Sequence, residues 1–264
     1  MLLVHIGLGK TATTTMQKHV FPELAKSLGC TYNDPIVYKI LGRASLFPLS
    51  QAEMEIVHST LKEGNHIISL ESLVGWNPVT WEEFSERNVS LFGKDAIILI
   101  TMREPLEWIT SVYQEMVHEG NVVDPREFFV NNEQWRLANR ISSRYRLEYL
   151  NVDAVNFRML HKFYSARFSR VVVVDSRKLA ELNFLGDALH IDCELREKLK
   201  RELKGKRLHR SYSASAMFLT LSFERILRVF RVATNGSQTK RLMNYQNILS
   251  PQELGSLQGG RSFD

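Results

Sequence analysis

The stretch richest in reactive side chains is His5-Ile-Gly-Leu-Gly9-Lys10-Thr11-Ala12-Thr13-Thr14-Thr15-Met-Gln17. It follows an apolar run and precedes a stretch of helical period, so its backbone N–H groups face an anion at a helix N-terminus, where the dipole is positive. Lys10 adds a mobile cation and the threonines add hydroxyl donors. A complete nucleotide-triphosphate loop, G-x-x-x-x-G-K-[ST], would need glycine at position 4, where the chain has Val4. A threonine cluster that only capped a helix would not account for the lysine and two glycines beside it. A second stretch, Ile98 to Tyr113, contains Arg103, Pro105 and Ser111. Arg103 closes a buried strand at its carboxyl end, the edge where ligands bind in open α/β sheets. Ser111 lies eight residues on, about two turns into the next helix. Together they offer a fork of donors and a hydroxyl to a second phosphate-like group. A third candidate, Glu71, ends the run His66-Ile-Ile-Ser-Leu and could take a proton, or it could simply be a solvated acid capping the next turn. His5 and His66 are alternative bases, although His66 opens its strand and so belongs at the opposite edge.

These residues need a scaffold that brings strand ends together. Apolar runs of strand length alternate with segments of helical period, the pattern of a mainly parallel sheet with helices on both faces. The spacing predicts strands over Leu2 to Gly7, His66 to Leu70, Asp95 to Met102 and Arg170 to Asp175. Helices are expected over Thr13 to Leu28, with Met16, Val20 and Leu24 on the buried stripe, from a Ser50 cap to Lys62, from Pro105 to His118, and around Leu195, Leu199 and Leu203. Residues 31 to 49, with Asn33-Asp34-Pro35, Gly42 and Pro48, read as irregular. A helical insertion on the acceptor side is expected over about 120–168, a further helix over Ser213 to Phe230, and a flexible tail over 251–264. The expectation is one domain over 1–250, of three-layer α/β/α, P-loop-like architecture.

Composition narrows the function classes. The 264 residues are 44% hydrophobic and 24% charged, ordinary globular usage that sets aside disorder and fibrous repeats. Two cysteines, Cys30 and Cys193, provide neither a disulfide framework nor a zinc pattern. No apolar run approaches the length of a membrane span, and the opening run is too short for a signal peptide, so a cytoplasmic, soluble protein is expected. The net charge of +5 is too mild for a dedicated nucleic-acid binder. Its distribution is informative: between Glu194 and Arg210 eight basic residues face three acids.

The first two stretches resemble the 5′-phosphosulfate loop and the 3′-phosphate motif of sulfotransferases that use 3′-phosphoadenosine 5′-phosphosulfate (PAPS). In that family the first motif runs roughly K-[TS]-G-T-T-x-[LI]-Q, matched by Lys10 to Gln17 with Ala12 in place of the usual glycine. The second is an arginine followed by Asp-Pro or Glu-Pro and a serine at the eighth position, matched by Arg103, Pro105 and Ser111. The resemblance implies that Gly9, Lys10, Thr11, Ala12, Thr13, Thr14 and Thr15 hold the 5′-phosphosulfate and that Arg103 and Ser111 hold the 3′-phosphate. His66 to Leu73 is similar to the strand ending in Ser-x-Glu-x-Leu of carbohydrate-type members, in which the glutamate, here Glu71, is the general base. Lys204 to Ser211 is similar in position to a mobile basic segment that closes over the nucleotide, which would add Lys206, Arg207, Arg210 and Ser211. The alternative for that run is a solvated helix end. The implied activity is sulfuryl transfer from PAPS to an acceptor hydroxyl on a carbohydrate or glycolipid, with Lys10 and Glu71 catalytic and no metal. The setting expected is the cytoplasm of a bacterium. A P-loop kinase-like phosphotransferase and a non-catalytic nucleotide- or glycan-binding protein on the same fold are the rivals.

Overall fold

The computed structural model describes residues 1–44, 47–75, 77–118, 124–141 and 149–204, all within one compact unit, Met1–Ser211. The helix expected from Ser213 to Phe230, the tail from 251, the basic residues Lys206, Arg207 and Arg210, and Ser211 lie outside the described residues. The central sheet has five strands, β1 (Leu2–His5), β2 (Thr31–Tyr32), β3 (His66–Ser69), β4 (Ile97–Met102) and β7 (Arg170–Asp175), in the order β2-β3-β1-β4-β7. Every pairing is parallel. The register places Leu3 beside Ile67 and Ile97, and Val4 beside Ile68 and Ile98. Alternate residues therefore supply two apolar faces, as a sheet covered by helices on both sides requires.

One face is sealed by a continuous helical run after β1: α1 (Thr13–Thr15), a π-helical turn (Met16–Val20) and α2 (Phe21–Leu28). Met16, Val20, Phe21 and Leu24 are buried there with Leu3, Ile67, Leu99 and residues of α10 (Asn183–Leu189) and α11 (Cys193–Leu203). The π turn has a local cause. Pro22 has no N–H and its ring collides with the carbonyl four residues back, so the helix widens, and the Phe21 N–H reaches the Met16 carbonyl. α4 (Gln51–Lys62) starts at Ser50 with a reciprocal capping box to Glu53, as the sequence predicts. α6 (Pro105–His118) and β7 also match their expected bounds.

Residues 31–49 depart from the irregular reading: they contain β2 and α3 (Pro35–Ala44). The cue was present, because Asp34 accepts from the N–H groups of Ile36 and Val37 and Pro35 occupies the first helical position. α5 (Trp81–Phe92) is an element the sequence reading did not include. Within the expected helical insertion, α7 (Pro125–Phe128), α8 (Asn132–Ile141) and α9 (Phe157–Ser165) are joined by a short parallel pair, β5 (Phe129–Val130) with β6 (Leu150–Asn151). That region is mixed, because Phe129 and Val130 extend and pair with Leu150 and Asn151 where helical period alone had been read.

Candidate functional site

The carboxyl ends of β1, β3 and β4 lie side by side, and the chain reverses its direction of strand addition between β1 and β4, the position at which open α/β sheets form a crevice. Beyond β1 the chain stays in register for two more bonds, from the Ile6 N–H to the Leu99 carbonyl and from the Leu8 N–H to the Thr101 carbonyl. Gly7 is obligatory here: a Cβ would sit 2.3 Å from Thr101 Oγ1 and 2.6 Å from His5 Nε2. The loop then turns through two left-handed residues, Lys10 (φ 69°) and Ala12 (φ 62°), before α1 begins. Glycine accepts that conformation without strain, so the alanine at position 12 keeps the loop's shape at an energetic cost. Among the described residues, the N–H groups of Lys10, Ala12, Thr13 and Thr14 have no backbone acceptor outside the helix they start, and they are available to an anion.

The threonines divide into two sets. Thr11 is fully buried and donates its hydroxyl to the Leu8 carbonyl at 2.5 Å, while Thr101 Oγ1 lies 2.7 Å away. Its side chain therefore braces the loop, and what it can offer a ligand is backbone. Thr13 is also buried, whereas Thr14 and Thr15 are half-buried at the start of the helix.

Arg103 follows β4 directly. Its Nη1 lies 3.5 Å from both the Lys10 carbonyl and Ser111 Oγ, and its Nε donates to Glu107 Oε2 at 3.0 Å. Arg103, Ser111 and the Lys10 loop, separated by about ninety residues in sequence, thus share one corner. Lys10 Nζ donates to Glu115 Oε2 at 2.7 Å. Beneath the loop Trp108 Nε1 donates to the Gly9 carbonyl at 3.0 Å, and its ring packs against Trp81 and Phe157.

Glu71 stands just past the end of β3 and opens a short 3-10 turn, Glu71–Leu73. A Cβ on Gly9 would lie 3.4 Å from Glu71 Oε2, which places the carboxylate against the loop. Burial pushes its pKa up to about 7; the Lys10 ammonium pulls the other way, and the Glu115 carboxylate adds to the rise. Such a group can accept a proton near neutral pH. The two histidines are placed differently. His5 is fully buried, with Nδ1 2.7 Å from Ser69 Oγ and Nε2 3.3 Å from Thr101 Oγ1, and burial drives it down to about 3. It is a neutral tie between strands, closed off by its own partners. His66 sits at the opposite edge against the Glu63 carbonyl.

Sequence reasoning missed Glu107, Trp108 and Glu115. The signal was the spacing itself, since Glu107 and Glu115 lie four residues before and after Ser111 and so share its face of α6. Asn33 was also missed: it pairs with the Ser69 backbone in both directions, accepting from its N–H at 2.8 Å and donating to its carbonyl at 3.3 Å. Among the described residues no cluster of three or more His, Cys, Asp or Glu could hold a metal ion, and no helix is long and apolar enough to cross a membrane.

No family model and no curated protein matches the chain. Among solved structures, a sulfotransferase from Alicyclobacillus acidocaldarius is similar at 15% identity, with 77% of this chain and 92% of that chain covered and a TM-score of 0.45. A likeness that distant leaves the function to be argued from the site residues themselves.

Proposed function

We propose that this protein is a sulfotransferase that moves a sulfuryl group from PAPS to a hydroxyl of a carbohydrate or glycolipid acceptor. The observation that carries the reading is the convergence of Lys10, Glu71 and the Arg103–Ser111 pair at the adjoining carboxyl ends of β1, β3 and β4. Two cationic centres with unengaged loop amides between them suit a nucleotide carrying anionic groups at both its 5′ and 3′ positions. In this reading the loop from Gly9 to Thr15 receives the 5′-phosphosulfate, and Arg103 and Ser111 receive the 3′-phosphate.

The chemistry then assigns each residue a task. Glu71 takes the proton of the acceptor hydroxyl as that oxygen bonds to sulfur. The bond between sulfur and the bridging oxygen of the 5′-phosphate breaks, and its electron pair leaves on that oxygen. Lys10 offsets the charge that develops there, and the loop amides are already aimed at it. The products are the sulfate ester, 3′-phosphoadenosine 5′-phosphate (PAP) and a proton held by Glu71.

Calorimetric titration with PAP in the absence of magnesium tests the reading. Binding is expected, and Lys10→Ala and Arg103→Ala should each weaken it about tenfold or more, because each removes a charge-assisted contact to a different phosphate. ATP with magnesium binding much more tightly than PAP would instead identify a kinase-like protein.

A further inference from the structure

Glu107, Ser111 and Glu115 lie at i+4 spacing on one face of α6 and meet both cations of the site. Glu115 Oε2 is 2.7 Å from Lys10 Nζ, and Glu107 Oε2 is 3.0 Å from Arg103 Nε. The rise of the helix sets the backbone positions of these two residues about 12 Å apart along its axis, with Ser111 between them. The four charged side chains are 30–47% exposed, so each ion pair is open to exchange with an anion arriving from solvent.

We propose that Glu107 and Glu115 are affinity-setting residues, through which α6 occupies each cation with its own carboxylate and so competes with the incoming anion at each end of the ligand separately. The proposal rests on the function proposed above, in which Lys10 addresses the 5′ side of the nucleotide and Arg103 the 3′ side. A ligand with one phosphate exchanges one ion pair for another at a single cation and leaves a displaced carboxylate nearby, so its net gain is small. A ligand with two phosphates makes the exchange at both cations but loses its translational freedom only once, and its second contact forms at high effective concentration. Arg177, which pairs with Asp175 after β7, is close enough to Glu104 and Glu107 to interact with both, so the 3′ corner is lined with acids as well as cations. That mixed lining disfavours stray anions while leaving Arg103 accessible.

Glu115 has a second, separable action. The charged groups acting on Glu71 are Lys10 and Glu115, and the like charge of Glu115 favours the protonated form. A residue that only supported helix α6 would not move the Glu71 titration.

The test is titration of the full chain, Glu107→Gln and Glu115→Gln with PAP, adenosine 5′-phosphate and adenosine 3′-phosphate. Glu55→Gln, exposed on α4, controls for net charge. Glu115→Gln should tighten the 5′-phosphate by up to about fivefold and leave the 3′-phosphate unchanged, the range a freed, partly exposed ion pair corresponds to. Glu107→Gln should do the reverse. Both should tighten PAP, and the double variant should tighten it by about the product of the two single effects, while each monophosphate gains only one of them. Glu115→Gln alone should lower the Glu71 pKa seen by NMR. Equal tightening of both monophosphates, the same effect from Glu55→Gln, or weaker binding in either glutamine variant would overturn the proposal while leaving the sulfotransferase reading intact. If none of the three ligands bound a folded wild-type chain, the nucleotide reading itself would fail and this proposal with it.

Discussion

Glu71 and Ala12 show how single residues set the properties of this site. Glu71 is held up to about 7 chiefly by burial, and a base acts only in its ionised form, so turnover should rise with pH through about 7 and then level off. Glu71→Gln is nearly isosteric; it should lower turnover by about 100-fold or more and leave PAP affinity within a few-fold. Unchanged turnover would return Glu71 to the role of a strand-end acid. Ala12 carries the left-handed φ of 62° in the loop that faces the proposed phosphosulfate. The left-handed penalty of about 1–2 kcal/mol outweighs the extra unfolded-state freedom of glycine, about 0.4–1 kcal/mol, so Ala12→Gly should stabilise the fold by about 0.5–1 kcal/mol. The expected readout is a higher urea midpoint at constant m; a lower midpoint would mean that the loop exploits the alanine in some other way.

At the scale of elements, α6 does more than cover the sheet. Its first turns place Trp108 under the loop, and one of its faces brings Glu107, Ser111 and Glu115 to the cations. Trp108→Phe keeps most of the packing against Trp81 and Phe157 but leaves the Gly9 carbonyl without its donor. It should cost about 1–2 kcal/mol and also weaken PAP binding, since the loop loses its brace. Helix α4 makes a useful contrast. Ser50→Ala breaks its capping box and should cost about 1 kcal/mol, visible as a lower Tm, with PAP affinity unchanged. Were the two variants to act alike on PAP, the link between α6 and the loop would have to be abandoned.

For the whole molecule, two titratable groups withdrawn from water, His5 in β1 and Glu71 just past β3, have opposing effects on stability. Glu71 binds its proton more tightly in the folded state than its usual 4.5, so between about pH 4.5 and 7 the native state holds more protons and stability falls as pH rises. His5 is pushed from 6.5 down to about 3, so over that window the unfolded state holds more protons and stability falls as pH falls. Between about pH 4.5 and 6.5 the two slopes partly cancel; below that window His5 acts unopposed. Glu71→Gln removes one slope. It should be more stable than wild type at pH 8, by at most about 3 kcal/mol, and equal to it at pH 4. Denaturation curves for the two proteins that run parallel from pH 4 to 8 would show that Glu71 is not titrating as a buried group.

What the sequence determined by itself was local and periodic. A β-branched, apolar run such as Ile97 to Met102 reads as a buried strand, Ser50 with Glu53 is a helix start, and Pro105 opens α6. The lysine loop and the Arg-to-Ser spacing were legible for the same reason, since their chemistry lies in neighbours along the chain. The environment of each charged group was not. Glu71 reads the same in sequence whether it is solvated or buried, and only the register of β3 beside β1 sets it against Gly9 and near Lys10. His5 could have faced either way until the pleat turned it between Ser69 and Thr101. The partner of Lys10 on α6, Glu115, likewise depends on a helix docking across residues far apart in sequence, because a charge finds its counter-ion through space, and tertiary packing alone decides which groups share that space.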